Sequence, residues 1–213
     1  GSTLAGMSEE GKRVGPDRLQ ALRSLRASNA DAAFATAFGT LVGGTFLVGF
    51  IRLLGGSDLW IGAISAIPSL VGLCQLPGAI VGRRFLSRRS FVLTPALIWR
   101  LLYIPIALLP IAYFLAKDVR LALLLGCATV AAFMVNFVNP VYSEWLAELI
   151  PANARGSYFS TRNALATAVG TVLGMAGALV LDGFRRGGSE PLGFAVIFGS
   201  GVVCGMISFF FTC

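Results

Sequence analysis

Arg100 is the first residue in this chain that asks for a chemical explanation, because it is an ionisable group set deep in an apolar stretch, about 15 Å of helix beyond Arg89. An ion at such depth in a bilayer costs several kcal/mol unless it is partnered, so it marks a functional position by default. Capping of carbonyls or pairing with a polar neighbour is the structural alternative. Paired with Asp31 or Glu144, it would form a conformational latch. Asn136, Asn139 and Ser143 follow one another at spacings of three and four and so share one helix face, where they either hydrogen-bond a polar solute or join neighbouring helices. Gln75, Thr167 and Thr171 carry the same two readings. No Asp or Glu lies near the middle of an apolar block, so a proton-carrying carboxylate is not expected there.

Histidine is absent, which removes Ser-His and Cys-His nucleophilic catalysis and the imidazole ligands of most catalytic zinc sites. The four cysteines, Cys74, Cys127, Cys204 and Cys213, stand in apolar stretches without a Cys-x-x-Cys spacing and read as small buried hydrophobes. No catalytic residue, metal or cofactor is therefore expected, and an enzyme is the weakest of the functional classes considered.

The elements that must position these residues are written in where charge is missing. Of 213 residues, 56% are hydrophobic and only 13% charged, with a mean hydropathy of +0.80. A soluble domain cannot bury so large an apolar fraction. Uncharged blocks of spanning length predict six transmembrane helices, at about 32–51, 59–82, 91–115, 121–143, 163–181 and 191–212. The blocks are apolar on all sides, unlike the alternating strands of a membrane barrel. An all-α six-helix membrane domain over 31–213 thus follows a polar and basic tail over 1–30, in which no signal-peptide core precedes the first block. Gly1 to Gly6 precede Met7 and are set aside from the fold.

Lys and Arg divide unequally between the two sets of connections. Lys12, Arg13, Arg18, Arg23 and Arg26 of the tail join Arg83, Arg84, Arg88, Arg89, Arg155 and Arg162 on one side, against Arg52, Lys117, Arg120, Arg185 and Arg186 on the other. Positive charge is retained in the cytoplasm, so both ends are expected there, in a plasma or inner membrane. Basic residues placed between apolar blocks, with no interleaved aromatics to stack bases, point to lipid headgroups and not to nucleic acid. Trp60, Tyr113, Tyr142 and Trp145 fall near span ends and read as interfacial anchors. Small residues recur at every fourth position, Ala35, Gly39 and Gly43 in the first span and Ala166, Gly170, Gly174 and Ala178 in the fifth, as helix packing or sliding faces require. Pro68, Pro77, Pro95, Pro105 and Pro110 predict bends in the second and third spans.

Two connections carry a resemblance. After the fourth span, Pro140-Val141-Tyr142 precedes Glu148-Leu149-Ile150-Pro151, followed by Arg155-Gly156. This pattern resembles the segment after the fourth helix of major facilitator transporters. Gly78, Arg83, Arg88 and Arg89 likewise match that family's signature between the second and third helices. Gly82 stands where the family has Asp, and Ser87 where it has Gly, which leaves Glu148 to serve both connections. The resemblance covers the chain from about Ala27 onward and implies two inverted three-helix repeats. It also implies a cytoplasmic gate of Arg83, Arg88, Arg89, Glu148 and Arg155, and Gln75, Asn136, Asn139, Thr167 and Thr171, read from their own polarity, are the candidates to line the path of a small-molecule solute. It further implies a second six-helix half, in the same chain if this one is truncated or in a homodimer. Alternating-access transport is the function expected, and a non-transporting membrane scaffold or assembly factor on the same bundle is the alternative.

Overall fold

The computed structural model describes residues 16–84, 88–148, 150 and 155–212, and the side chains of 29–82, 91–144, 150 and 155–211. Every regular element among the described residues is helical. Six stretches are long and apolar enough to cross a membrane, Asn29–Leu53, Asp58–Gly82, Phe91–Ile111, Lys117–Glu144, Arg155–Arg186 and Glu190–Phe211, with mean hydropathies between 1.7 and 2.2. The protein is an all-helical bundle of the kind that spans a bilayer several times.

The first crossing is two helices, α1 (Pro16–Val42) and α2 (Gly44–Leu53). Described from Pro16, α1 makes the second half of the polar tail a helical extension of the first crossing. The break at Gly43 and Gly44 was not legible as a proline bend, because it rests on Gly44 at φ +49°, a left-handed conformation that glycine adopts without strain. The second crossing is α3 (Asp58–Gly72) and α4 (Gln75–Arg84), and the third is α5 (Arg88–Leu101), α6 (Tyr103–Leu108) and a 3₁₀ turn, Leu109–Ile111. The second and third crossings, where Pro68, Pro77, Pro95, Pro105 and Pro110 predict bends, are both interrupted. The third stops at Ile111, short of the apolar run that continues to Leu115, because the chain tightens at Pro110 and then turns. By contrast α7 (Lys117–Glu148) continues through Pro140. The fifth and sixth crossings, α8 (Arg155–Arg186) and α9 (Glu190–Thr212), are unbroken.

The first crossing packs chiefly on the fifth and sixth, the fourth packs on the second and third, and the third and sixth meet each other. Glycines set the closest of these approaches. A Cβ on Gly78 would overlap the Phe137 carbonyl, and one on Gly82 would overlap the Val141 side chain, so α4 lies backbone-close against α7. On α8 the small-residue stripe packs on α1 at Gly170 and Gly174, where a Cβ would come within 3.3 Å of Thr40 Oγ1 and 3.7 Å of Thr40 Cγ2, but Ala178 is exposed and the contact passes instead to Gly177, where a Cβ would come within 2.6 Å of the Phe46 ring. Phe38, Phe50, Phe194, Phe198, Ile106 and Leu121 form the buried centre. The second and fifth crossings are the least enclosed, with 11% and 6% of their apolar windows buried, against 22–44% for the others.

Candidate functional site

Near the end of the bundle that carries the N-terminal extension, four helices bring polar side chains to one buried carboxylate. Asp31 of α1 is 5% exposed. Its Oδ1 accepts the Ser208 hydroxyl of α9 at 2.6 Å, and its Oδ2 accepts the Tyr142 hydroxyl of α7 at 2.8 Å. Arg162 of α8 places Nη2 at 3.9 Å from Oδ2 and donates to the Tyr142 oxygen over 3.4 Å, with its guanidinium carbon 5.9 Å from the phenol ring centre. That ion pair is longer than a charge-assisted hydrogen bond, so it acts through its field.

Arg100 of α5 completes the network from the third crossing. Its Nη2 donates to Ser208 Oγ at 2.9 Å, so the serine hydroxyl accepts from arginine and donates to aspartate. Nε donates to the Gly205 carbonyl and Nη1 to the Ala96 carbonyl, both at 2.8 Å. The guanidinium also lies 4.8 Å from the Trp99 ring centre and 5.7 Å from that of Phe209. Local sequence explains the placement. A Cβ on Gly201 would strike Val42, and one on Gly205 would strike the Phe38 ring, so two glycines one turn apart let α9 lie against α1. Ser208 then follows at the level of Asp31, and the Gly205 carbonyl stays open to Arg100.

A cavity of about 160 Å³ adjoins this network. Asp31, Arg100, Asn139, Tyr142 and Arg162 supply its charged and hydrogen-bonding groups, while Ala35, Val92, Ala96, Met134, Val135 and Val138 supply most of its apolar wall. Arg162 Nε is buried with no hydrogen-bond partner among the described residues, as are Tyr158 Oη and Asn29 Oδ1. A second cavity of about 580 Å³ opens at the break in the first crossing, walled by Gly43, Gly44, Thr45, Ser65, Pro68 and Tyr103 among others, with no charged residue among its described lining residues. The two follow one another along α7, where Ala128 and Ala132 line the second and Met134 to Tyr142 the first. At their boundary Phe38 packs edge-on against Trp99 and Tyr103, with ring centres 4.9 and 5.0 Å away. Trp99 faces the first cavity and Tyr103 the second.

The residues singled out by sequence fare unequally. Arg100 is central, and a chain of hydrogen bonds runs from it through Ser208 to Asp31. Asn139 lines the charged cavity, but Asn136 is occupied elsewhere: its Oδ1 accepts Gln75 Nε2 at 2.9 Å, which joins the second and fourth crossings, and its Nδ2 donates to Ala132. Thr167 and Thr171 are exposed on α8 and donate to carbonyls one turn back, at Asn163 and Thr167. Arg155 donates from Nε to the Ile150 carbonyl at 3.0 Å. The side chains of Arg83, Arg88, Arg89 and Glu148 lie outside the described residues, as does the segment 151–154. Ser208 carries no distinguishing signal in the sequence, where Tyr142 reads as an interfacial anchor and Arg162 as a connection charge. A periodicity argument places Arg162 seven residues into a helix that starts at Arg155, about 10 Å from its end. No family model matches the chain, and no curated protein or solved structure does so either.

Proposed function

We propose that this chain is a six-helix bundle of a secondary transporter that moves a small solute by alternating access, with its N-terminus in the cytoplasm of a plasma or inner membrane. One observation carries the reading: two cavities lie in series along the same helices, divided by the Phe38, Trp99 and Tyr103 rings, with a buried ionic network beside one of them. Such an arrangement needs only two packings of the tail-side helix ends to expose the solute to one face at a time. The network joins the first, third, fourth, fifth and sixth crossings, so its rupture loosens that end as a unit.

Two further features support a bundle of major facilitator type. Exchanging crossings one to three with crossings four to six leaves the pattern of chief neighbours unchanged, as two inverted repeats related by a two-fold axis require. The least enclosed crossings, the second and the fifth, are themselves exchanged by that operation and offer a face to a second six-helix half. Arg83, Arg88, Arg89, Glu148 and Arg155 remain the outer part of the proposed gate, with Asp31, Arg100, Tyr142, Arg162 and Ser208 as its inner part.

The test is reciprocal accessibility. With the native cysteines replaced, Ala35→Cys and Ser65→Cys report the two cavities to an impermeant maleimide applied to membrane vesicles. Asp31→Asn and the milder Tyr142→Phe are expected to raise labelling at position 35 from the tail side and to lower it at position 65 from the other side. Labelling that changes at one position alone, or at neither in both variants, favours a static scaffold.

A further inference from the structure

The tail-side cavity has more positive than negative charge in its wall. Among its described lining residues two guanidiniums, Arg100 and Arg162, face one carboxylate, Asp31. Arg100 is held by Gly205, Ala96 and Ser208. Arg162 is held far less firmly: its approach to Asp31 is 3.9 Å, its bond to Tyr142 is long, and Nε has no acceptor among the described residues although it is buried. An arginine whose side chain is 19% exposed and whose Nε–H is unmet presents a donor fork of the shape that a carboxylate fits. An unmet buried donor is costly, and an arriving acceptor relieves that cost.

Size and lining narrow the ligand further. A void of about 160 Å³ is close to the ~150 Å³ that accommodates benzene, so about six non-hydrogen atoms fit. A sugar is too large and has more hydroxyls than the few polar groups here can satisfy. Val92, Ala96, Met134, Val135 and Val138 suit a short alkyl body, and a bare inorganic oxyanion would set its oxygens against those side chains. We propose that this cavity binds a short-chain monocarboxylate, anchored on the Arg162 guanidinium with Tyr142 and Asn139 beside it. The proposal rests on the transporter reading for its purpose, though not for its geometry. It also supplies that reading with a trigger. A carboxylate on Arg162 competes with Asp31 for the same cation and so weakens the link between the first and fifth crossings.

The experiment is ligand-dependent thermal unfolding of the full chain in detergent at matched ionic strength. The probes are sodium propionate and butyrate, the neutral isostere propionamide, and sodium nitrate. Propionate and butyrate are expected to raise the melting temperature saturably and the other two are not. Arg162→Gln is expected to weaken binding at least about tenfold, and Arg162→Lys less, since charge is kept but the fork is lost. Val135→Phe, which fills the cavity from a partly exposed position, abolishes the shift in a folded protein and decides the matter if Arg162→Gln is too unstable to measure. Equal stabilisation by propionamide, equal stabilisation by nitrate, or undiminished binding in Arg162→Gln or in Val135→Phe overturns the assignment. Carboxylate binding without reciprocal labelling overturns transport and leaves the site. Reciprocal labelling without carboxylate binding does the reverse.

Discussion

At the scale of single residues, the site is a problem of dividing charge. Ser208 is fully buried and its one hydroxyl serves both Arg100 and Asp31, whereas Tyr142 supplies a second donor to the carboxylate from another helix. Removing a partner from a buried ionic group costs more than the net worth of the bond, about 1–3 kcal/mol for each group left unmet. Ser208→Ala takes close hydrogen bonds of 2.9 and 2.6 Å from two charged groups, whereas Tyr142→Phe takes one such bond from Asp31 and only a long 3.4 Å contact from Arg162, so the first is expected to lower the melting temperature in detergent by more than the second. The reverse order would mean that Ser208 is no bridge. Arg100 could be singled out from sequence because nothing else explains an ion in the midst of apolar residues. Asp31 could be named only as one of two candidate partners, beside Glu144, and Tyr142 reads as an anchor, since the two sit where boundary charges and interfacial rings also sit. A serine near the end of an apolar run is indistinguishable from any helix-joining hydroxyl. Asn136 and Asn139 share a face on paper, yet Gln75 reaches only the first, and nothing in one helix's periodicity says which neighbour each amide meets.

At the scale of elements, the gaps between charges located the crossings, because the cost of an ion in hydrocarbon is a rule that depends on no tertiary detail. What they miss is where helices break inside a crossing. Pro68, Pro77, Pro105 and Pro110 fall in crossings that are interrupted, while Pro140 lies in a helix that is not, so proline marks a tolerance for bending whose outcome depends on packing. The same distinction governs glycine. Gly78 has the Phe137 backbone where its Cβ would go, whereas Gly62 on the same crossing has open space around it. Gly78→Ala is expected to force α4 off α7 and to yield protein that aggregates on size-exclusion chromatography. Gly62→Ala is expected to be neutral or stabilising by up to ~1 kcal/mol through helix propensity alone. Matching behaviour of the two would remove the close α4–α7 approach from the account.

At the scale of the whole molecule, orientation rests on the basic connections and is open to direct measurement. Ser157, at the start of α8, and Ser57, before α3, are both exposed and lie at opposite ends of the bundle. Single cysteines at 157 and 57 are expected to react with an impermeant maleimide from the cytoplasmic and the opposite face respectively. Reaction of both from one face would rule out the six-crossing topology. The ionic links far from the tail, Arg52 with Asp58 and Arg185 with Glu190, involve largely exposed cations and are expected to add little stability. The buried ionic network is confined to the opposite end, so the two ends of the bundle differ in what must be broken to part them.

Gly44 gives that asymmetry a mechanical form. With its left-handed backbone between α1 and α2, the first crossing is a jointed lever and not a single rod. The long arm bears Asp31 and most of the contacts with α8 and α9, and the short arm holds Phe46 and Phe50 in the core. A swing of the long arm can therefore be absorbed at the joint while the short arm stays seated, and a continuous water column through the molecule need never form.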